Sequence, residues 1–76
     1  MDEVTYKGFT IELMSLRLPG KLWLPRAILY YERDGSLNTY PTMSAPAEAT
    51  FATQEQADEY AVTMAKTWID KEHPAG

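Results

Sequence analysis

The stretch "AILYYERDGS", residues 27–36, decides the fold because five apolar or aromatic residues lead directly into a turn signal. Side chains alternate between the two faces of a strand. On a strand they form two sets: Ala27, Leu29 and Tyr31 on one face, Ile28 and Tyr30 on the other. Gly35 accepts the positive φ that tight hairpins require. The stretch therefore predicts a strand, apolar on both faces, that enters a hairpin.

Two registers of this hairpin stay open. A two-residue turn on Asp34 and Gly35 pairs Leu29 with Tyr40. A three-residue loop with a bulge at Gly35 pairs Leu29 with Thr39 instead. A slip of one residue exchanges the faces of a strand, so the choice decides which side chains of the third strand are buried.

Alternating hydrophobicity predicts the remaining strands. Phe9, Ile11 and Leu13 alternate with polar neighbours, and Gly8 marks a possible bulge. Pro19 and Gly20 then favour a turn. The predicted strands cover about residues 5–15, 22–32 and 37–43, with Pro25 at a bulge or at the start of the second strand.

A helix over about residues 54–71 follows a connector of small residues. Thr53 and Gln56 form a capping-box pattern, which is typical of a helix N-terminus. Pro74 cannot continue the helix. Most apolar residues of this helix fall on one of its faces: Ala57, Tyr60, Ala61, Met64, Ala65, Trp68 and Ile69.

The predicted fold is α+β: one domain over residues 1–76, with a three-stranded antiparallel β-meander packed on one C-terminal α-helix (β-β-β-α). The side chains expected to face the helix are Phe9, Ile11, Leu13, Trp23, Ala27, Leu29 and Tyr31. Those expected on the opposite face are Thr10, Glu12, Met14, Leu22, Leu24, Arg26, Ile28, Tyr30, Thr39 and Met43.

A single helix covers only one face of this sheet, and the other face carries large apolar side chains. Contiguous apolar patches on a protein surface usually mark an interaction site. We therefore expect a homodimer or a docked protein partner at a candidate interface made of Met14, Leu22, Leu24, Arg26, Ile28 and Tyr30. The alternative is an ordinary monomer whose solvated face only supports cross-strand pairs.

The composition disfavours catalysis and cofactor chemistry. The chain has no cysteine and one histidine, His73, near its end. No zinc pattern, P-loop, dinucleotide fingerprint or EF-hand loop occurs. No histidine base can be placed beside a serine nucleophile. We predict no enzyme activity and no catalytic, cofactor-binding or metal-binding residues.

The formal net charge of −4 opposes binding to nucleic acid and to anionic membranes. Basic residues nevertheless gather in the first half of the chain. The predicted three-stranded sheet backed by a helix also resembles in outline the sheet-reading DNA-binding domains of some phage integrases and of plant ethylene-response factors. A nucleic-acid-binding accessory module is therefore the alternative function, with the contacts Lys7, Arg17, Lys21, Arg26 and Arg33. A weaker alternative is a small-ligand site near Trp23, Tyr60 and Trp68, where plain core packing is the competing explanation.

The segments "YKGFTIEL", "LPGKLWLPRAILYYERDG" and "FATQEQADEYAVTMAKTWID" resemble a group of small uncharacterised bacterial proteins. The shared features are a Tyr-x-Gly-Tyr/Phe first strand and a closing F-x-T-x-x-x-A helix that ends in W-I-D. The resemblance implies the fold and a bacterial cytoplasmic origin, and it implies no activity. The acidic N-terminal sequence and the absence of a run of about 20 apolar residues also favour a cytoplasmic protein without a membrane span.

Overall fold

The structure is a computed structural model that describes residues 3–72. The expectation for His73 and Pro74 lies outside the described residues. Within them, antiparallel strands precede one C-terminal helix, so the α+β class is confirmed and the count of three strands is wrong. The elements are β1 (Glu3–Tyr6), β2 (Phe9–Leu13), β3 (Leu16–Leu18), β4 (Leu22–Leu24), β5 (Arg26–Arg33), β6 (Ser36–Thr39), β7 (Met43–Ser44) and α1 (Gln54–Glu72).

The strands form two sheets. The larger one has the order β1-β2-β5-β6, and β7 pairs with β5 beside β6. The smaller one consists of β3 and β4. All pairings are antiparallel.

The first predicted strand is in fact two strands, because the chain reverses at Lys7 and Gly8. These residues have φ values of 51° and 83°, and positive φ at both central residues is what type I′ hairpin turns require. Tyr6 then lies opposite Phe9. The predicted bulge at Gly8 is wrong, since this glycine belongs to a turn. Lysine is uncommon at positive φ, which is why the pattern gave only a weak turn signal.

Strands β2 to β5 form one long hairpin with a single register. Leu13 lies opposite Ala27, and the same alignment continues to Leu18 opposite Leu22. The ladder is interrupted only near Pro25, which has no amide hydrogen to donate. The turn predicted at Pro19 and Gly20 is confirmed, and its three residues are 19–21. We call residues 15–25 the arm.

The two-residue register of the second hairpin is the correct one. Asp34 and Gly35 have φ values of 53° and 78°, and the Tyr40 amide donates to the Leu29 carbonyl at 2.9 Å. The third predicted strand is split into β6 and β7 around Pro41. Met43 pairs with Ala27 and packs against the core, so its predicted place on the opposite face is wrong.

The core lies between the sheet and α1. Thr53 caps the helix, since its hydroxyl accepts from the Gln56 amide at 3.1 Å. Of the residues expected to face the helix, Tyr31 and Trp23 are only partly buried. The buried apolar residues are Phe9, Ile11, Leu13, Ala27, Leu29, Ala45, Ala57, Ala61, Ala65 and Ile69.

Candidate functional site

The candidate site is the side of the sheet that faces away from α1, which we call the far face. Odd-numbered side chains of the long hairpin point to the helix: Leu29 is buried beneath it, and the Ser15 hydroxyl donates to Asp58 Oδ1 on α1 at 2.6 Å. Side chains alternate along a strand. The even-numbered side chains of β2 to β5 therefore form the far face, in the arm as well as in the main sheet.

The structure places all six candidate interface residues on the far face. Met14 lies beside Arg26, and its amide donates to the Arg26 carbonyl at 2.9 Å. Met14 and Leu22 are 40% and 39% exposed. The other candidates, Leu24, Arg26, Ile28 and Tyr30, are half-buried. Their shared face follows from one continuous register.

Two leucines on this face were missed at the sequence level. Leu16 lies opposite Leu24, and Leu18 lies opposite Leu22. Leu16 is 43% exposed. The signal was present in "LRLPGKLWL", where leucines alternate on both sides of a Pro-Gly turn. We call the combined set the apolar stripe: Met14, Leu16, Leu18, Leu22, Leu24 and Ile28.

The apolar stripe ends at charged residues of opposite sign. Lys21 lies in the turn at the tip of the arm, and Glu12 lies opposite Ile28 at the other end. Within residues 3–72, neither side chain makes an ion pair or a hydrogen bond. The stripe is thus an apolar band with an unpaired cation at one end and an unpaired carboxylate at the other.

Beyond Glu12 the part of the far face formed by β2 and β5 is polar. The Tyr30 hydroxyl donates to Glu3 Oε2 at 3.0 Å. This hydrogen bond raises the pKa of Tyr30 above its ordinary value, with burial and the Glu3 charge adding to it. Tyr30 therefore anchors the polar part of the face and does not extend the apolar stripe.

The basic residues of the nucleic-acid alternative do not form one patch. Lys7 and Arg33 lie at the turn end of the main sheet, whereas Arg17 and Lys21 lie in the arm. Arg17 sits over the Trp23 ring at 6.0 Å, on the helix side of the arm. Arg26 lies between the two groups. The structure therefore separates them along the hairpin.

Lys7 is also committed to a cluster with Tyr6 and Asp70. Its Nζ lies 2.7 Å from Asp70 Oδ1, and the Tyr6 hydroxyl donates to the same oxygen at 2.8 Å. The Lys7 ammonium, followed by the Tyr6 hydroxyl, lowers the pKa of Asp70 below its ordinary value of 3.8. The cluster ties the end of α1 to the β1–β2 turn.

We expect the Lys7→Gln substitution to raise the pKa of Asp70 toward its ordinary value, because the main cause of the lowering is lost. A lowered folded-state pKa stabilises the fold above the unfolded-state pKa, and this contribution disappears as pH falls through the folded-state value. Carboxyl-carbon NMR titration measures the pKa of Asp70 in the wild-type protein and in the variant. An unchanged Asp70 titration in Lys7→Gln would contradict the assigned cause, and Lys71→Gln is the matched control.

A shallow groove of about 660 Å³ lies beside the start of α1. Leu13 and Val62 form its apolar part, and carboxylates of the helix surround them. Ser15, next to the groove, is held by Asp58. The remaining lining residues are Gln54, Glu55, Asp58, Glu59 and Thr63.

The three aromatic residues of the small-ligand alternative do not meet. Trp23 exchanges two backbone hydrogen bonds with Phe51, at 2.8 and 2.9 Å, and the Phe51 ring packs on Tyr60 at 5.6 Å. Trp68 packs instead on Tyr40, with the ring centroids 5.1 Å apart. The structure thus places Trp68 in a different aromatic cluster, which packs against the core, whereas Tyr60 is exposed.

Comparison with protein-family models, curated proteins and solved structures gave no match. The resemblance to small bacterial proteins stays a prediction. Within residues 3–72, no helix has the length and apolar character to cross a bilayer, and no three acidic, histidine or cysteine side chains are grouped as metal ligands would be.

Proposed function

We propose that the protein is a small non-enzymatic interaction protein that self-associates or docks a protein partner through the far face. The observation that carries this proposal is the apolar stripe. Met14, Leu16 and Leu22 account for three of the five exposed large apolar side chains in residues 3–72. Helix α1 lies on the opposite side of the sheet, so it does not shelter them.

The energetics support association of moderate strength. Covering a stripe of about 400 Å² on each of two surfaces contributes a gross term of about 20 kcal/mol at 25 cal/mol per Å². Lost translational and rotational freedom and side-chain ordering offset much of that term. Interfaces of this size are typical of weak or transient complexes. We expect a dissociation constant in the micromolar range.

The charges favour a protein over a nucleic acid as partner. Phosphate binding needs several cations that act together, whereas the five basic candidates lie in separate places and Lys7 is paired with Asp70. Glu12 also adjoins the apolar stripe. Apolar contact is the interaction that this surface offers most.

We expect the Leu16→Glu substitution to remove association, because a charge at the centre of the stripe would have to be desolvated on binding. Leu16 is 43% exposed, so the fold should be retained. Sedimentation velocity from 10 to 500 µM measures self-association, and immobilised protein in a cell extract measures partner retention. Circular dichroism confirms folding.

The matched control is Leu37→Glu, the same substitution on the same face. Leu37 is 64% exposed and lies on β6, away from the stripe. Association that survives in Leu37→Glu and is lost in Leu16→Glu supports the proposal. Equal behaviour of the two variants, or a wild-type protein with neither self-association nor a retained partner, would contradict it.

A further inference from the structure

We propose that the far face is complementary to itself and that its occupant is a second copy of this chain in an antiparallel two-fold dimer. This inference rests on the proposed function, since it names the partner of the same surface. The two copies would pack face to face, with their arms pointing in opposite directions. Lys21 of each copy would then lie against Glu12 of the other.

The spacing along the hairpin carries this inference. Lys21 lies three residues from Leu24 toward the tip, about 10 Å at 3.3 Å per residue. Glu12 lies opposite Ile28, four residues from Leu24 in the other direction, or about 13 Å. A two-fold axis across the strands near Leu24 places Lys21 of one copy over Ile28 of the other, next to its cross-strand neighbour Glu12. Packed sheets lie about 10 Å apart, a gap that facing lysine and glutamate side chains can bridge.

The same axis matches apolar side chains with each other. The Leu16–Leu24 pair meets its own copy at the axis, as an isologous interface requires. Met14 meets Leu18 of the second copy, and Arg26 meets Leu22. The half-buried Arg26 can lay its aliphatic stem on that leucine while its guanidinium stays in water.

The charges distinguish this arrangement from the parallel one. With both arms in the same direction, the two Lys21 residues would lie together at one end of the stripe and the two Glu12 residues at the other. Like charges placed opposite each other disfavour an interface. In the antiparallel arrangement two unpaired charges of opposite sign meet at each end of the apolar stripe, and each has no partner within residues 3–72 of its own copy.

Charge exchange tests the dimer. Lys21→Glu places two carboxylates at each end of the interface, and Glu12→Lys places two ammonium groups there. We expect each variant alone to dimerise about tenfold more weakly, since two exposed ion pairs become repulsive. An equimolar mixture of the two variants restores both pairs in the heterodimer. The double variant Lys21→Glu/Glu12→Lys restores them in a homodimer.

Sedimentation equilibrium measures the dimer dissociation constant of the single variants, of their mixture and of the double variant. Arg33→Glu is the control, a charge reversal outside the proposed interface. Weakened single variants and a mixture within about threefold of wild type support the antiparallel dimer. Single variants that dimerise as wild type, or a mixture that stays weak, overturn it. If Leu16→Glu removes association while the charge variants have no effect, the proposed function stands and this arrangement fails.

Discussion

The Leu29→Ala substitution is expected to lower the free energy of unfolding by about 2–5 kcal/mol, the range for leucine truncation in a packed core. Leu29 is fully buried. It lies on the central strand β5, with Ile11 opposite it on β2. A chain of 76 residues has a total stability of only about 4–11 kcal/mol at 0.05–0.15 kcal/mol per residue. The variant should therefore be close to unfolded at physiological temperature.

Thermal and urea denaturation followed by circular dichroism measure this loss. For a domain of this size each kcal/mol shifts the melting temperature by roughly 4–8 °C, so a fall of at least about 10 °C is expected. Leu37→Ala is the matched control, because Leu37 is 64% exposed and surface truncations usually change stability by less than about 0.5 kcal/mol. Equal melting temperatures of the two variants would contradict the assigned core.

The core could be predicted from local sequence patterns. Phe9, Ile11 and Leu13 alternate with polar residues, and the polar partners face water as a half-buried strand requires. The Thr53 cap and the alanine spacing fixed the start and the inner face of α1 in the same way. These features depend on the period of neighbouring residues, so they can be recognised without knowing which strands pair.

The additional strands could not be predicted, because they depend on pairing between distant residues. Lys7 takes positive φ, which its type does not favour, and only the Tyr6–Phe9 pairing shows why the chain turns there. The arm is similar. Proline and glycine at its tip indicate a loop, while the leucines on either side pair across that loop and extend both strands.

The candidate site was predicted in part for the same reason. Its face followed from alternation once the strand at Ile28 and Tyr30 was identified. Leu16 and Leu18 were missed because the first strand was predicted to end at residue 15. Their addition moves the centre of the site toward the arm.

We expect the two faces of the sheet to have separate roles, and a substitution on the helix side tests this. Ala61→Leu is expected to lower the free energy of unfolding by about 1–3 kcal/mol, as overpacking does. Ala61 is fully buried between α1 and the sheet, as are Ala57 and Ala65. Small side chains at this spacing let the helix approach closely, so a larger one must push it outward. Urea denaturation measures the loss, and the exposed Ala52 provides the same substitution as a control.

The far face should be unaffected by this change, since Ala61 and Leu16 lie on opposite sides of the sheet. Below the denaturation midpoint, Ala61→Leu is expected to keep the wild-type dissociation constant, whereas Leu16→Glu keeps the wild-type stability and loses association. Stability is compared at concentrations below the dissociation constant, because binding to the folded state raises apparent stability. A loss of association in folded Ala61→Leu would show that the two faces are coupled through the sheet.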